Sequence, residues 1–369
     1  MPHHFLALSE EMAQRGHQVV ILAPHRRTDL EKPNGNPAVL TWPSDRPTRI
    51  SDALFLQRLI HRFQPSCFIA NFAAVNVMTL VGRMAQVPVR VAWYHTVSEQ
   101  LAQDNPAPNW KRALFQWRKR LVYQAATRVV ANSSASAEDV QKTYGLPASK
   151  CQVFSNALAD PLLNSSLQNE TPIPGRLVCV GRFFPSKGQD VLIRALARLQ
   201  KMNPAAHVEF IGEGPARETC ERLARELGVH HKCVFTGQIE HAEVLRRMAR
   251  AVATVVPSRS EAFGLVNIES MAVGTPVVAS KVGGIVEIVR DGQDGFLVPP
   301  DDPWALEVKL ELLLQSRHLR HEMRGNARQQ FLQRFEQRRA VQEQANWHEA
   351  LVQSHPKLLI PRLLHGTST

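Results

Sequence analysis

The chain has 369 residues, of which 44% are hydrophobic and 21% are charged, so it is long enough to bury the cores of two domains. Its net charge of +11 would suit nucleic acid, but there are only three tyrosines and no zinc-finger or RNP-type motif, so we expect no nucleic-acid partner. No apolar run approaches 18 residues, and we therefore expect a cytoplasmic protein, either free or attached to the cytoplasmic face of a membrane.

The first half of the chain alternates helical and apolar extended stretches. The pattern predicts helices over 5–15, 52–63 and 135–144, and strands over 19–23, 67–70, 87–93 and 128–131. A stretch rich in proline, serine and asparagine over 156–174 indicates a linker. We therefore predict an N-terminal domain over 1–157, a second domain over 158–335, and over 336–369 a helix that packs back on the first domain and is followed by a tail.

The second half shows a stricter alternation. Short apolar strands are predicted over 178–182, 207–212, 234–239, 253–257 and 276–280, with a helix over 190–199 after the first of them. This is the pattern of a doubly wound parallel α/β sheet. Arg182 ends the first of these strands and Lys187 comes five residues later, so both cations lie at the carboxyl end, where such sheets bind ligands.

Two carboxylates flank a predicted helix start in this half. Gly264 begins a helix over 264–272, and the helix start can hold a diphosphate because its first backbone N–H groups lack partners. Glu261, just before the helix, could reach sugar hydroxyls, and Glu269, inside it, could accept hydrogen bonds from a ribose diol. By spacing alone, two solvated glutamates beside an ordinary helix are an equally good interpretation.

Taken in order, these motifs resemble those of the retaining glycosyltransferases of family 4. The motifs are Gly181-Arg182 with Lys187-Gly188, Gly212-Glu213-Gly214-Pro215, Glu261 to Leu265 with Glu269, Gly274-Thr275-Pro276, Gly283-Gly284 with Glu287, and Asp294-Gly295-Phe296. The resemblance runs from about residue 8 to about residue 350 and is stronger after Arg176. It implies the GT-B fold, in which two Rossmann-like doubly wound domains face a central cleft.

The resemblance also implies a function and its residues. The reaction is transfer of a hexosyl group from a nucleotide-diphosphate sugar to a hydroxyl of a glycan, lipid or small molecule, with retention of configuration. UDP-sugars are favoured over GDP-sugars, and no cofactor or metal is expected. The implied catalytic residues are His95, Arg182, Lys187 and Glu261. The implied donor-binding residues are Gly181, Gly212, Gly214, Ile239, Phe263, Gly264, Leu265, Val266 and Glu269.

The chain departs from the family at its start. Family members have a strand and a glycine-rich loop before the first helix, whereas this chain enters a helix near Phe5, so we expect that strand and loop to be missing. Two alternatives to a transferase therefore stay open. One is a nucleotide-sugar-binding remnant without activity, and the other is a GT-B sugar-nucleotide epimerase.

Three further segments have two interpretations each. His95 is either a group that orients the donor or a structural histidine at a strand end. Asn132 and Ser133 either contact a substrate or cap the helix that follows. The segment 109–122 mixes large apolar and basic residues, as do segments that lie in an anionic membrane surface, but the stripe of Leu114, Trp117 and Leu121 would equally suit a helix packed on a core.

Overall fold

The structure of the protein, a computed structural model, describes residues 2–25, 35–105, 108–163 and 166–355. The chain forms two compact units. The larger unit takes in the residues up to Ala7, Tyr94–Gln116 and Ala131–Val341, and the smaller unit takes in Leu8–Trp93, Trp117–Val130 and the residues from Gln342 onwards. The domain limits drawn from the linker composition stay a prediction.

The helices and strands follow one another in the predicted alternation. The helices are α1 (Pro2–Gln14), α2 (Ile50–Phe63), α3 (Ala74–Met84), α4 (Ser98–Asp104), α5 (Asn109–Ala125), α6 (Ser134–Tyr144), α7 (Gln189–Leu199), α8 (Arg217–Glu226), α9 (His241–Ala249), α10 (Leu265–Ala272), α11 (Ile285–Ile288), α12 (Pro303–Gln315), α13 (Arg317–Arg334) and α14 (Gln337–Gln353). The strands are β1 (Val20–Ala23), β2 (Ala38–Thr41), β3 (Cys67–Ala70), β4 (Val89–Tyr94), β5 (Arg128–Ala131), β6 (Cys151–Val153), β7 (Arg176–Val180), β8 (His207–Ile211), β9 (Cys233–Gly237), β10 (Ala253–Val256), β11 (Val277–Ser280) and β12 (Gly295–Val298).

A six-stranded parallel sheet organises the larger unit, with the strand order β12-β11-β10-β7-β8-β9. From β7 the chain adds strands first on one side and then, from β10, on the other. The order therefore reverses between β7 and β10, which is the point at which doubly wound sheets bind ligands beyond the carboxyl ends of their strands. All four residues of β10 are buried, as expected for a strand covered by helices on both faces.

The remaining strands form a four-stranded sheet in the order β3-β4-β5-β6 and a separate parallel pair, β1-β2. In the smaller unit a core of Trp42, Leu56, Phe68, Val77 and Val87 joins α2 and α3 to these strands. The alternation of α-helices and parallel strands confirms the predicted α/β class.

Helix α14 is tied to the chain just after α1. Arg15 Nη1 donates to Glu349 Oε2 over 2.9 Å, and His17 Nε2 lies 2.8 Å from Glu349 Oε1. The tail predicted after this helix lies, from residue 356 onwards, outside the described residues. Among the helices that the structure describes, none is both long and apolar enough to cross a bilayer.

Candidate functional site

The loops after β7 and β10 meet beside the point where the strand order reverses. After β7 the chain passes through Arg182 into a short 3-10 turn, Pro185–Lys187, and then into α7. The backbone N–H of Arg259, in the loop after β10, donates to the carbonyl oxygen of Ser186 over 2.8 Å. This bond brings the predicted cation Lys187 close to the predicted carboxylate Glu261.

Lys187 and Glu261 form an ion pair in which Lys187 Nζ donates to Glu261 Oε2. The two side chains are 17% and 13% exposed, so the pair is shielded from most of the solvent while remaining reachable. Charges in such a site interact more strongly than on an open surface. Arg182 is exposed, and its guanidinium carbon lies 4.8 Å from the centroid of the Phe184 ring.

The start of α10 has the geometry of an anion site. Gly264, with a φ of 90°, is its N-cap in the left-handed region, where a side chain would also collide with the amide group of Asn267. Asn267 Nδ2 donates to the Gly264 carbonyl oxygen over 2.9 Å and steadies this turn. The backbone N–H groups of Leu265 and Val266 occupy the first helical turn, where no earlier turn supplies acceptors.

Glu261 is also held by its backbone. Gly283, with a φ of 46°, lies so close to the Glu261 carbonyl that any Cβ there would overlap the oxygen. The Gly284 N–H donates to that same oxygen over 3.2 Å. The pair Gly283-Gly284 therefore lets the loop before α11 pack directly on the backbone of the predicted catalytic carboxylate.

Glu269 lies inside α10 with a side chain that is 14% exposed. His241 Nε2 lies 3.1 Å from its Oε1, and this hydrogen bond raises the pKa of His241. Sequence analysis did not select His241, since nothing in the residues around it points to Glu269. Ile239 packs on the same apolar cluster as Val266, so these two predicted donor-binding residues border one cluster.

Other predicted donor-binding residues contribute backbone rather than side chain. Phe263 is 2% exposed and packs edge-on against Phe335 with ring centroids 6.3 Å apart, so its side chain belongs to the core and only its backbone can face a ligand. The segment that holds Gly212 and Gly214 runs beside the loop after β7, where the Phe183 N–H donates to the Glu213 carbonyl over 2.9 Å.

His95 follows β4, as predicted. Burial lowers its pKa to about 4, so the imidazole is neutral near pH 7. Its ring meets the ring of Phe5 edge-on, with centroids 6.4 Å apart. The role of His95 in the reaction stays a prediction.

Ser133 is the N-cap of α6, which is one of the two interpretations that the sequence allowed. Its Oγ caps α6 by accepting from the Ser136 N–H over 3.0 Å, and it also donates to the Ala262 carbonyl over 2.6 Å. The start of α6 is therefore bonded to the loop that carries Glu261. Glu287 adds to this connection by accepting from the backbone N–H groups of Ser134 and Ala135 over 3.0 and 3.2 Å.

Comparison with known proteins identifies the family. The model for glycosyltransferase family 4 matches residues 1–159, and the model for glycosyl transferases group 1 matches residues 168–330. The chain belongs to glycosyltransferase family 4. Within the residues that the structure describes, no three His, Cys, Asp or Glu side chains are grouped so that they could hold a metal ion.

Individual relatives agree with this family. The chain is 25% identical over 360 residues to an uncharacterized glycosyltransferase of Methanocaldococcus jannaschii, covering 93% of this chain and 92% of that protein. It is 35% identical over 198 residues to a D-inositol 3-phosphate glycosyltransferase of Acidothermus cellulolyticus, but this match covers 49% of the chain and only 44% of the relative. The crystal structure of Anabaena HepE in complex with UDP superposes with a TM-score of 0.74 at 20% identity, covering 94% and 96% of the two chains. The predicted GT-B fold, with Rossmann-like domains, is confirmed.

Proposed function

We propose that this family 4 member transfers a hexosyl group from a nucleoside-diphosphate sugar to a hydroxyl acceptor with retention of configuration. The observation that carries the proposal is the Lys187–Glu261 pair beside the start of α10, where the strand order of the sheet reverses. A cation and free helix N–H groups suit a diphosphate, and a nearby carboxylate suits a sugar. An epimerase is less well supported, because the order of Glu261 and Glu269 fits the transferases.

In this mechanism the chain stabilises two charges that develop together. Breakage of the anomeric bond leaves positive charge on the sugar and negative charge on the departing diphosphate. Lys187, Arg182 and the start of α10 stabilise the diphosphate, and Glu261 orients the sugar and stabilises its positive charge. The departing phosphate accepts the proton of the attacking hydroxyl on the same face, so the configuration is retained without a protein nucleophile.

The donor is proposed to be a UDP-sugar, with Glu269 accepting hydrogen bonds from the ribose diol. Support comes from the fold, which this chain shares with a protein solved in complex with UDP and with UDP-glucose. No cofactor or metal is part of the proposal.

Calorimetry with UDP and GDP tests the donor site. Arg182→Ala should weaken UDP binding by about 1.5–3 kcal/mol, the scale of a charge-assisted hydrogen bond. Arg194→Ala, which removes an exposed arginine of α7, is the matched control and should bind UDP as the wild type does. NMR of the anomeric proton in the product from UDP-glucose would report retention. Equal UDP affinities for Arg182→Ala and the wild type would contradict the assignment.

We further propose that α5 attaches the protein to an anionic membrane surface. Trp110, Leu114, Trp117 and Leu121 recur at helical spacing on α5, and they are 65%, 58%, 60% and 44% exposed. The alternative in which Leu114, Trp117 and Leu121 pack inward is therefore wrong. An exposed apolar stripe bordered by cations suits the interface of an anionic bilayer and would favour a membrane-borne acceptor.

The cations of α5 do not all remain available to lipid. Lys111, Arg112, Arg118 and Arg120 are exposed, whereas Lys119 Nζ donates to Asn76 Oδ1 over 2.9 Å. Burial lowers the pKa of Lys119. The proposal therefore assigns lipid contact to the four exposed cations and not to Lys119.

Sedimentation with phosphatidylglycerol and phosphatidylcholine vesicles tests the attachment. At about 1 kcal/mol for each cation, the double variant Arg118→Gln with Arg120→Gln should bind anionic vesicles about 30-fold more weakly. Lys119→Gln is the matched control and should change binding little. Equal losses in both variants, or no binding to phosphatidylglycerol at low salt, would refute the attachment.

A further inference from the structure

The segment that carries His95 is held at both ends by one carboxylate, that of Asp139 on α6. Asp139 Oδ2 accepts from the Tyr94 hydroxyl, and it also accepts from the Ser98 N–H over 2.9 Å and from Ser98 Oγ over 3.0 Å. Tyr94 is the residue before His95, and Ser98 begins α4. Three donors on one oxygen leave this short segment little freedom to change its path.

The surroundings of Asp139 strengthen the arrangement. Tyr94 is 4% exposed, and burial raises the pKa of its phenol, so the hydroxyl stays protonated and able to donate. Thr143 Oγ1 lies 3.1 Å from Ser98 Oγ and donates to Asp139 Oδ1 over 3.4 Å. The ring of Tyr144 packs edge-on against Tyr94 with centroids 6.1 Å apart. The anchor on α6 is therefore a connected polar network beside packed rings, and such networks hold one geometry.

The far end of α4 contacts the donor side of the site. Asp104, its last residue, accepts from the backbone N–H of Ser186 through Oδ1 over 3.3 Å. Ser186 is fully buried and directly precedes Lys187. Helix α4 is thus bonded at its first residue to the anchor that holds the His95 segment, and at its last residue to the turn that holds Lys187.

We propose that Asp139 and Asp104 are positioning residues bonded at the two ends of α4. Asp139 sets the position of His95, and Asp104 sets the turn that presents Lys187 to the diphosphate. The inference rests on the proposed function, because it assigns these carboxylates a role in that same site. It predicts separable effects, because His95 is a predicted catalytic residue that the proposed nucleotide site does not include, whereas Lys187 belongs to that site.

The test compares Asp139→Ala and Asp104→Asn with the wild type in UDP calorimetry and in UDP-glucose turnover. Asp139→Ala should lower kcat about tenfold or more, because small misplacements of a catalytic group are costly, while its Kd for UDP stays within about twofold. Asp104→Asn should raise the Kd for UDP about fivefold, because it acts through Lys187. The matched control is Glu138→Ala, which removes an exposed carboxylate from the same helix and should change neither quantity.

NMR titration of the His95 imidazole gives a readout that does not need turnover. In the wild type its pKa is expected near 4, and release of the segment in Asp139→Ala should move this pKa toward its ordinary value. Ser98→Ala, which removes only one hydroxyl, is the substitute if Asp139→Ala does not fold. It should lower kcat and move the His95 pKa toward its ordinary value, as expected for Asp139→Ala, but by a smaller amount.

The outcomes separate the inference from the proposed function. If His95→Ala lowers kcat but Asp139→Ala and Ser98→Ala change neither kcat nor the His95 pKa, the positioning role is overturned. If the wild type binds no UDP, the proposed function fails, and the NMR titration still decides whether Asp139 holds His95. A Kd for UDP in Asp104→Asn equal to that of the wild type would overturn the role of Asp104.

Discussion

Replacement of Glu261 by glutamine should strengthen UDP binding while it abolishes most of the transfer. In the structure Lys187 donates to Glu261, so a diphosphate must compete with this carboxylate for the ammonium group. Both side chains are largely shielded, at 17% and 13% exposure, and the pair is therefore more than a solvated surface contact. Glutamine keeps the shape of the side chain but removes the charge that competes with the phosphate.

The magnitude follows from the exchange of one charge-assisted bond for another. Such a bond contributes about 1.5–3 kcal/mol. If competition with Glu261 costs UDP half of the upper value, about 1.5 kcal/mol, then removal of the charge in Glu261→Gln should lower the Kd for UDP about tenfold. Lys187→Met, which removes the cation itself, should weaken UDP about tenfold or more by the same scale. Turnover of UDP-glucose by Glu261→Gln should fall about 100-fold, because the positive charge on the sugar loses its stabilising carboxylate.

Calorimetry with UDP and a coupled assay of UDP release from UDP-glucose measure the two effects. Glu307→Gln is the matched control, since Glu307 is also 13% exposed and paired with an arginine, Arg198, but belongs to α12 and not to either of these loops. It should leave both quantities unchanged. The reasoning is refuted if Glu261→Gln weakens UDP as much as Lys187→Met does, because Glu261 would then contact the nucleotide rather than compete with it.

Three further predictions concern other parts of the site and the fold. Glu269→Gln should raise the Kd for UDP about tenfold through the lost ribose contact, and calorimetry showing an unchanged Kd would contradict that contact. Gly283→Ala should lower the thermal midpoint and weaken UDP, because a Cβ would displace the Glu261 backbone; wild-type values for both would contradict the close approach. Burial lowers the pKa of His348 to about 4. Between about pH 6.5 and pH 4, His348 is therefore protonated in the unfolded chain but stays neutral in the folded chain. Stability should therefore fall as the pH drops from about 6.5, the ordinary histidine pKa, towards 4, and His348→Gln should flatten this part of a melting-point profile.

The amino-acid sequence by itself determined the local structure of the donor-side half. Apolar runs bounded by glycine or proline predicted β7, β8, β10 and β11 to within about two residues, because a strand covered by helices on both faces is mostly apolar. Gly264 predicted the start of α10, since only glycine adopts its left-handed φ without strain. The family followed from the order of the motifs, each of which is weak alone.

The tertiary structure decided what these residues contact. The pairing of Lys187 with Glu261 joins positions 74 apart in the chain, and that of His241 with Glu269 joins positions 28 apart, so no local pattern contains either of them. The apolar stripe of α5 is equally compatible with a core and with an exposed surface. The structure shows that this stripe is exposed. Periodicity predicts which residues share a helix face, but it does not predict whether that face packs on other residues or is exposed to solvent. The same limit explains Asp139, whose importance depends on Tyr94 and Ser98 being brought to one carboxylate by the fold.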